Sequence, residues 1–201
     1  IYKIFLLKEN MINPKAKITT FQTPFPHIII GDFLIKEKVE QILQAVQQEE
    51  FIQKDADLFQ FKQTNDLEHS KNRILQSFRK ELLNDILKIE ELTNTKLKKN
   101  KIDFAASLYQ DTDYLLCHDD QLEKRKVAYI YYLTSLKKTE GGTLNLFASK
   151  NNLPLTIAKK IVPQKNTIIF FEVLPTSFHE VEEIIKTVDR LSINGWFYAK
   201  D

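Results

Sequence analysis

The sequence LLCHDD, residues 115–120, places an imidazole and a carboxylate two positions apart at the end of an apolar run. On an extended chain, residues i and i+2 project to the same side, so His118 and Asp120 are predicted to point together. Cys117 and Asp119 would then point to the opposite side. One short segment could therefore supply two ligands to a metal ion, although a His-x-Asp pair alone is more often a surface turn or a satisfied hydrogen bond.

A third ligand has to come from elsewhere in the chain, and His179 is the only histidine after His118. Two histidines and one carboxylate on one face of a metal, with the other positions open, form the facial triad of non-haem Fe(II) sites. A structural zinc site is an alternative, but closed tetrahedral zinc takes four protein ligands and the sequence offers three. His118, Asp120 and His179 are therefore the candidate metal ligands.

Arg190 and Ser192 lie shortly after His179, in the run RLS at residues 190–192. By the same two-residue alternation they share one face of an extended chain. A guanidinium and a hydroxyl aimed at one point suit a small dicarboxylate whose far end needs a charge-assisted hydrogen bond. If Arg190 stood alone, an arginine on a solvated strand face would be the better interpretation.

The composition is typical of one globular domain: 201 residues, 43% of them hydrophobic and 28% charged. The formal net charge of +2 is too balanced to predict nucleic-acid binding. The densest basic run, KLKKNK at residues 96–101, is predicted to be a solvated loop. The single cysteine, Cys117, excludes an internal disulfide and fits a reducing compartment, and we expect it to be a small buried hydrophobic residue.

The apolar periodicity changes along the chain. Helical spacing predicts one amphipathic helix over residues 35–51 and a second one after Asp66, with a stripe that runs to Ile89 and a cap at Ser70 or Asn65. Short β-branched and aromatic runs predict eight strands, at residues 104–109, 114–117, 127–133, 143–147, 157–162, 167–173, 177–181 and 190–198. This order predicts an α+β fold: a double-stranded β-helix, or jelly roll, with the N-terminal helices packed on one sheet.

We predict an N-terminal extension over residues 1–23 and one domain over residues 24–201. That domain would have a helical flank at about residues 24–101 and a jelly-roll core at about residues 102–201. The apolar run at residues 1–7 is too short for a membrane span or a signal sequence.

The motifs in their order resemble the iron- and 2-oxoglutarate-dependent dioxygenases, and within them the ribosomal prolyl 3-hydroxylases of the OGFOD and Tpa type. The similar segments are LLCHDD (115–120), GGTL (141–144), FFEV (170–173), SFH (177–179) and RLSINGWF (190–197). The similarity extends forward to PFPH (24–27) and DLFQF (57–61), so it covers nearly the whole chain from about Thr23.

The resemblance implies a catalytic iron centre. His118, Asp120 and His179 would be the catalytic residues and would bind Fe(II). Arg190 would bind the distal carboxylate of 2-oxoglutarate, the co-substrate that is oxidised together with the protein substrate. Dioxygen would be the second co-substrate, and ascorbate would serve as reductant.

Two further co-substrate contacts are implied in the same way. Tyr132 is similar to the family tyrosine whose hydroxyl reaches 2-oxoglutarate, although the residues alone would equally allow Tyr129 or Tyr131, or a core aromatic. Ser192 would assist. The usual acidic residue after GGTL is Asn145 here, which leaves its role open.

The implied function is prolyl 3-hydroxylation of the small-subunit ribosomal protein universal S12, with an effect on translation. We expect the cytoplasm and nucleus as location, with no membrane and no direct nucleic-acid binding. The alternatives are a dioxygenase acting on another protein or on nucleic acid, and a non-catalytic jelly-roll binding module. Family members usually carry a second, degenerate jelly-roll domain, so the chain would be the catalytic half of a longer protein or a single-domain relative.

Overall fold

Strands dominate the chain in a computed structural model that describes residues 11–122 and 124–200. The helices are α1 (Lys36–Gln47), α2 (Arg73–Asn84) and α3 (Ile86–Thr93), with 3₁₀ turns at Leu67–His69 and Lys138–Glu140. The strands are β1 (Lys17–Phe21), β2 (His27–Gly31), β3 (Phe51–Ala56), β4 (Phe59–Thr64), β5 (Leu97–Ile102), β6 (Ala105–Tyr109), β7 (Tyr114–His118), β8 (Arg125–Tyr132), β9 (Leu144–Lys150), β10 (Leu153–Ile161), β11 (Thr167–Glu172), β12 (His179–Val181) and β13 (Arg190–Ala199). All eight strands predicted after residue 102 are present.

The described strands form one antiparallel sheet in the order β1-β2-β11-β8-β13-β6-β4-β7-β12-β9-β10, with β3 paired to β4 and β5 paired to β13. The two ends of this path lie close together, because the ammonium group of Lys159 on β10 lies over the ring of Phe21 on β1. The sheet is therefore folded over on itself, as the predicted jelly roll requires. Within the described residues no helix is long and apolar enough to cross a membrane.

Alternation along the central strands separates two hydrophobic cores. Tyr131 on β8 and Phe170 on β11 belong to the core that includes the helices. Tyr132 and Phe171, their immediate neighbours in sequence, belong to the core inside the folded sheet. Because successive residues of a strand face opposite sides, each central strand serves both cores. The helices accordingly pack on one face of the sheet, as predicted.

The helices are shorter than the periodicity predicts. Residue 51 begins β3 instead of ending α1. The second predicted helix is divided at Asp85, whose ψ of 9° leaves the helical region between α2 and α3. Short polar side chains such as aspartate compete with the helical backbone for hydrogen bonds, which explains why the division falls there. The cap of α2 is Asn72, whose side chain accepts from the backbone N–H of Ile74, so the predicted Ser70 and Asn65 caps were wrong.

Five strands, β1 to β5, precede the eight that the sequence predicted after residue 102. The basic run at residues 96–101 was wrongly predicted as a loop: it forms most of β5, in which only the ends, Leu97 and Ile102, are buried. Lysines on an outward strand leave no apolar alternation to detect. The predicted helical flank also contains β2, β3 and β4. Within the predicted extension, β1 pairs with β2 and Met11 is buried, whereas residues 1–10 lie outside the described part.

The aromatic cluster around Phe78 ties the helical layer to the sheet. Phe78 is fully buried and its ring contacts those of Phe33, Phe104 and Tyr131. We predict that Phe78→Ala lowers the free energy of unfolding by about 3–5 kcal/mol, because it removes a buried ring and leaves a cavity. Urea denaturation followed by circular dichroism measures this loss. Leu87→Ala on exposed α3 surface is the control and should change stability by less than about 0.5 kcal/mol.

Candidate metal and co-substrate site

The structure brings His118, Asp120 and His179 together, and their potential ligand atoms all lie within 4.8 Å of one another. The Nε2 atom of His118 is 3.3 Å from one Asp120 carboxylate oxygen, and the Nε2 atom of His179 is 3.4 Å from the other. The two imidazole rings are 4.3 Å apart between centroids. Two nitrogen donors and one carboxylate thus converge on one point, the donor set of a facial triad.

Strand pairing delivers the two histidines to this point. His118 is the last residue of β7 and His179 is the first residue of β12, and the two are directly paired across the antiparallel ladder. Such cross-strand pairs bring side chains on the same face into contact. Asp120, in contrast, does not reach the site by strand alternation. It lies beyond the end of β7 with a φ of 61°, so a turn in the left-handed region directs its carboxylate toward the histidines.

Both histidines have the tautomer that a metal ligand needs. The Nδ1 atom of His118 lies 2.8 Å from the carbonyl oxygen of Leu116, and that of His179 lies 2.9 Å from the carbonyl oxygen of Ser177. A carbonyl oxygen only accepts, so Nδ1 carries a proton in each ring and Nε2 is the nitrogen that can bind a metal. The same two-residue backward contact therefore orients both rings.

Electrostatics prepare the three groups for a cation. Burial opposes ionisation of Asp120, but the two histidines and the indole N–H of Trp196 outweigh it and hold the pKa of that carboxyl well below its usual range. Burial, together with His118, lowers the pKa of His179 to about 4. Burial also opposes protonation of His118, but the Asp120 carboxylate outweighs it and raises the pKa of His118. At neutral pH the site thus holds an ionised carboxylate and a neutral His179.

Arg190 lies in the same cavity and is almost completely buried, with 1% of its surface exposed. Its Nε donates to the carbonyl oxygen of Gly142 at 2.8 Å, and Nη2 donates to the hydroxyl of Tyr132 at 3.4 Å. Its guanidinium also lies about 5 Å from the ring centroids of Tyr109 and Tyr132. Within the described residues no acidic side chain forms an ion pair with it. A buried, permanently charged group without a counter-ion fits an anionic ligand.

Gly142 is required for this arrangement. Its φ is +68°, and a Cβ there would collide with the side chains of Ile184 and Leu136 and press on the Cδ of Arg190. Glycine alone combines that backbone conformation with such a close approach. The sequence analysis used Gly142 only as part of the GGTL segment that resembles the family.

The structure also shows where Tyr132, Ser192 and Cys117 lie relative to the cavity. Tyr132, and not Tyr129 or Tyr131, contacts Arg190. Ser192 lines the cavity, and its hydroxyl has no hydrogen-bond partner in the described residues. Cys117 is half-exposed and not buried as expected, and partial burial raises the pKa of its thiol to about 11.

Sequence reasoning gave no role to two residues beside the ligands. The indole Nε1 of Trp196 donates to the Asp120 carboxylate at 3.0 Å. Asn145, where the resemblance expects an acid, donates through Nδ2 to Glu180 at 2.8 Å. Residue alternation could have predicted the position of Trp196, because it lies an even number of residues from Arg190 and therefore on the same face of β13.

Comparison with known proteins defines the class. Residues 104–198 match the family model of the 2OG-Fe(II) oxygenase superfamily, and this segment contains all three candidate ligands and Arg190. Residues 104–198 therefore form a 2OG-Fe(II) oxygenase domain.

Within that superfamily the chain is homologous to prolyl 3-hydroxylases. It is 39% identical over 181 residues to prolyl 3-hydroxylase OGFOD1 of Xenopus laevis, covering 88% of this chain and 35% of that protein. It is 35% identical over 192 residues to prolyl 3-hydroxylase sudestada1 of Drosophila melanogaster, covering 89% of this chain and 35% of that protein. The chain thus spans about a third of the length of the curated relatives it matches.

Solved structures confirm the predicted fold. A prolyl-4-hydroxylase from Pseudomonas putida superposes with a TM-score of 0.73 at 17% identity, covering 87% of this chain and 93% of that one. At this level of identity the likeness concerns the fold alone, and that fold is the jelly roll of 2OG oxygenases.

The hydrogen bond from Trp196 to Asp120 generates a prediction. Trp196→Phe keeps an aromatic ring but removes the N–H that orients the carboxylate, so the affinity for Mn(II), a redox-stable substitute for Fe(II), should fall about tenfold. Isothermal titration calorimetry measures the change. Tyr198→Phe is the matched control, because Tyr198 lies on the same strand as Trp196 and its hydroxyl donates to Asp103 and not to a candidate ligand. Equal Mn(II) affinity in Trp196→Phe and wild type would rule out this role of the indole.

Proposed function

We propose that the chain is the catalytic domain of an Fe(II)- and 2-oxoglutarate-dependent prolyl 3-hydroxylase that modifies universal S12 of the small ribosomal subunit and thereby affects translation. The observation that carries this proposal is one cavity that holds both the His118, Asp120 and His179 cluster and the buried, unpaired cation of Arg190. The names of the relatives support the prolyl 3-hydroxylase activity.

The donor set fits Fe(II). His118, Asp120 and His179 would hold the ion through two neutral nitrogens and one ionised oxygen, with their orientation fixed by backbone carbonyls and by Trp196. When bound, iron and 2-oxoglutarate would supply the oxidising chemistry that replaces a prolyl C–H bond with C–OH.

The other end of the cavity fits the co-substrate. Arg190 would bind the distal carboxylate, and the hydroxyls of Tyr132 and Ser192 would add hydrogen bonds. The hydroxyl of Tyr132 remains protonated at neutral pH, because burial raises its pKa. Apolar side chains such as Phe171 and Leu144 in the cavity lining exclude water from the reacting groups.

The proposed reductant, the use of dioxygen and the proposed location rest on the resemblance to the prolyl 3-hydroxylases. Ascorbate would return the iron to its reduced state after unproductive turnover, and dioxygen would be consumed with each hydroxylation. The protein would act in the cytoplasm and nucleus, on a protein substrate, without a membrane and without direct contact to nucleic acid.

Mass spectrometry of a proline-containing universal S12 peptide tests the proposed function. The peptide is incubated with the chain, Fe(II), 2-oxoglutarate and ascorbate, and a gain of one oxygen on proline is expected. His179→Ala, which removes a ligand, should give no product. Fragmentation and comparison with synthetic 3-hydroxyproline and 4-hydroxyproline peptides identify the position.

Other outcomes separate the parts of the proposal. If succinate forms but the peptide is not modified, the result would support dioxygenase activity and contradict universal S12 as the substrate. Peptide oxidation that persists in His179→Ala would reject the metal site. A gain of oxygen at another prolyl carbon would reject the 3-hydroxylase assignment.

We predict that Arg190→Met raises the KM for 2-oxoglutarate by at least tenfold, because a hydrogen bond to a charged group contributes about 1.5–3 kcal/mol. Methionine fills much of the volume of the arginine stem, so the core stays packed. Mn(II) affinity, measured by calorimetry, should stay within twofold of wild type. A normal KM for 2-oxoglutarate would exclude Arg190 from co-substrate binding.

A further inference from the structure

The cavity is larger than the metal and co-substrate require. Its volume is about 630 Å³, within the range of pockets that enclose most of a drug-sized ligand. Phe59, Phe61 and Leu115 give one part of the lining an apolar, aromatic surface. The additional space is therefore suited to part of a substrate, and the polar groups that line it determine which part.

One face of β13 lines this cavity along its length. Arg190, Ser192, Asn194 and Trp196 alternate along the strand and all border the cavity. The two outer residues have partners, since Arg190 binds Gly142 and Tyr132 and the indole of Trp196 binds Asp120. Ser192 and Asn194 lie between these two residues on the same face.

The inner residues carry polar atoms that the described part of the protein leaves unsatisfied. The hydroxyl oxygen of Ser192 and the Oδ1 atom of Asn194 are both shielded from solvent and have no hydrogen-bond partner in the described residues. Ser192 is itself 1% exposed. Buried polar atoms are nearly always paired in native proteins, so unpaired ones that border a cavity indicate an occupant that pairs with them.

The chemistry of Asn194 restricts what that occupant is. A carboxamide is neutral and offers both donors and an acceptor. The carboxylate end of a co-substrate has Arg190 for its charge, whereas the groups beside Ser192, the neighbour of Asn194 on this face, are neutral. Ser107 pairs with Ser192 across the sheet, and the side chain of Gln63 donates to the Ser107 hydroxyl at 3.3 Å.

A peptide group matches a carboxamide in being neutral, with one donor and one acceptor. Proline has no backbone N–H of its own, so its main chain is recognised through its carbonyl and through the adjoining peptide group. Asn194 can satisfy such a group by rotation about its terminal side-chain bond.

We infer that Asn194 determines peptide binding by hydrogen-bonding the substrate main chain beside the target proline. This inference rests on the proposed function. It gives Asn194 a task distinct from that of Arg190: Asn194 contacts the peptide and Arg190 contacts the co-substrate, although both lie on the same strand face.

Trp196 provides a direct readout, because it is the only tryptophan of the chain and it borders the same cavity. The enzyme is loaded with Mn(II) and 2-oxoglutarate, and the universal S12 peptide is titrated while the indole fluorescence is recorded. Asn194→Leu preserves the approximate shape and removes the hydrogen-bonding groups. The dissociation constant of the peptide should rise about tenfold, while that of 2-oxoglutarate, measured by calorimetry, should change less than twofold.

Asn84→Leu makes the same chemical change at an exposed position of α2 and should alter neither constant. Asn194→Ser retains a polar group but shortens its reach, so it should weaken peptide binding like Asn194→Leu and keep the test decisive if leucine perturbs folding. Thermal melting verifies the fold of each variant.

Three outcomes would contradict the inference or its basis. Unchanged peptide affinity in both Asn194 variants overturns it. A loss of 2-oxoglutarate affinity with unchanged peptide affinity also overturns it and places Asn194 with the co-substrate. A wild-type protein that neither binds nor oxidises the peptide overturns the proposed substrate, and the inference about Asn194 falls with it.

Discussion

The pairing of β12 with β7 is the constraint on which the site depends. β12 has only three residues, yet it pairs on one edge with β7 and on the other with β9, so that His179 lies opposite His118. A slip of one residue would turn His179 to the other face of the sheet. The turn before β12 secures the register, since the Ser177 hydroxyl both accepts from the N–H of Leu174 and donates to its carbonyl.

β13 joins the separate parts of the site. It pairs with β8, β6 and β5, and one of its faces carries in order a cation, two neutral polar groups and an indole that supports a ligand. The strand can approach its neighbours closely because residue 195 is glycine. A Cβ there would collide with the carbonyl of Asp103, which already accepts a hydrogen bond from the hydroxyl of Tyr129. The spacing of the four cavity-lining side chains of β13 is thereby set by the rise of one extended strand.

Sequence reasoning predicted the elements whose signal is local. The eight strands after residue 102 have apolar alternation or dense β-branched and aromatic runs, and the fold class followed from them. Sequence reasoning failed where an element depends on a contact distant in sequence, or where charged residues hide the apolar alternation of a strand. β5 is almost entirely lysine on its exposed stretch, and only its pairing with β13 makes it a strand. Asp120 reaches the histidines through a left-handed turn, although two-residue alternation predicted the same proximity for a different reason.

Arg190 makes the cavity favourable for an anion. Burying a cation costs several kcal/mol, and the Gly142 carbonyl, the Tyr132 hydroxyl and two aromatic faces offset only part of that cost. A lysine in this position could lose its proton and so reduce the cost, whereas a guanidinium remains charged. The protein therefore cannot neutralise this position by itself. A carboxylate that enters the cavity gains the pairing that the fold leaves incomplete, and by mass action its binding also stabilises the folded chain.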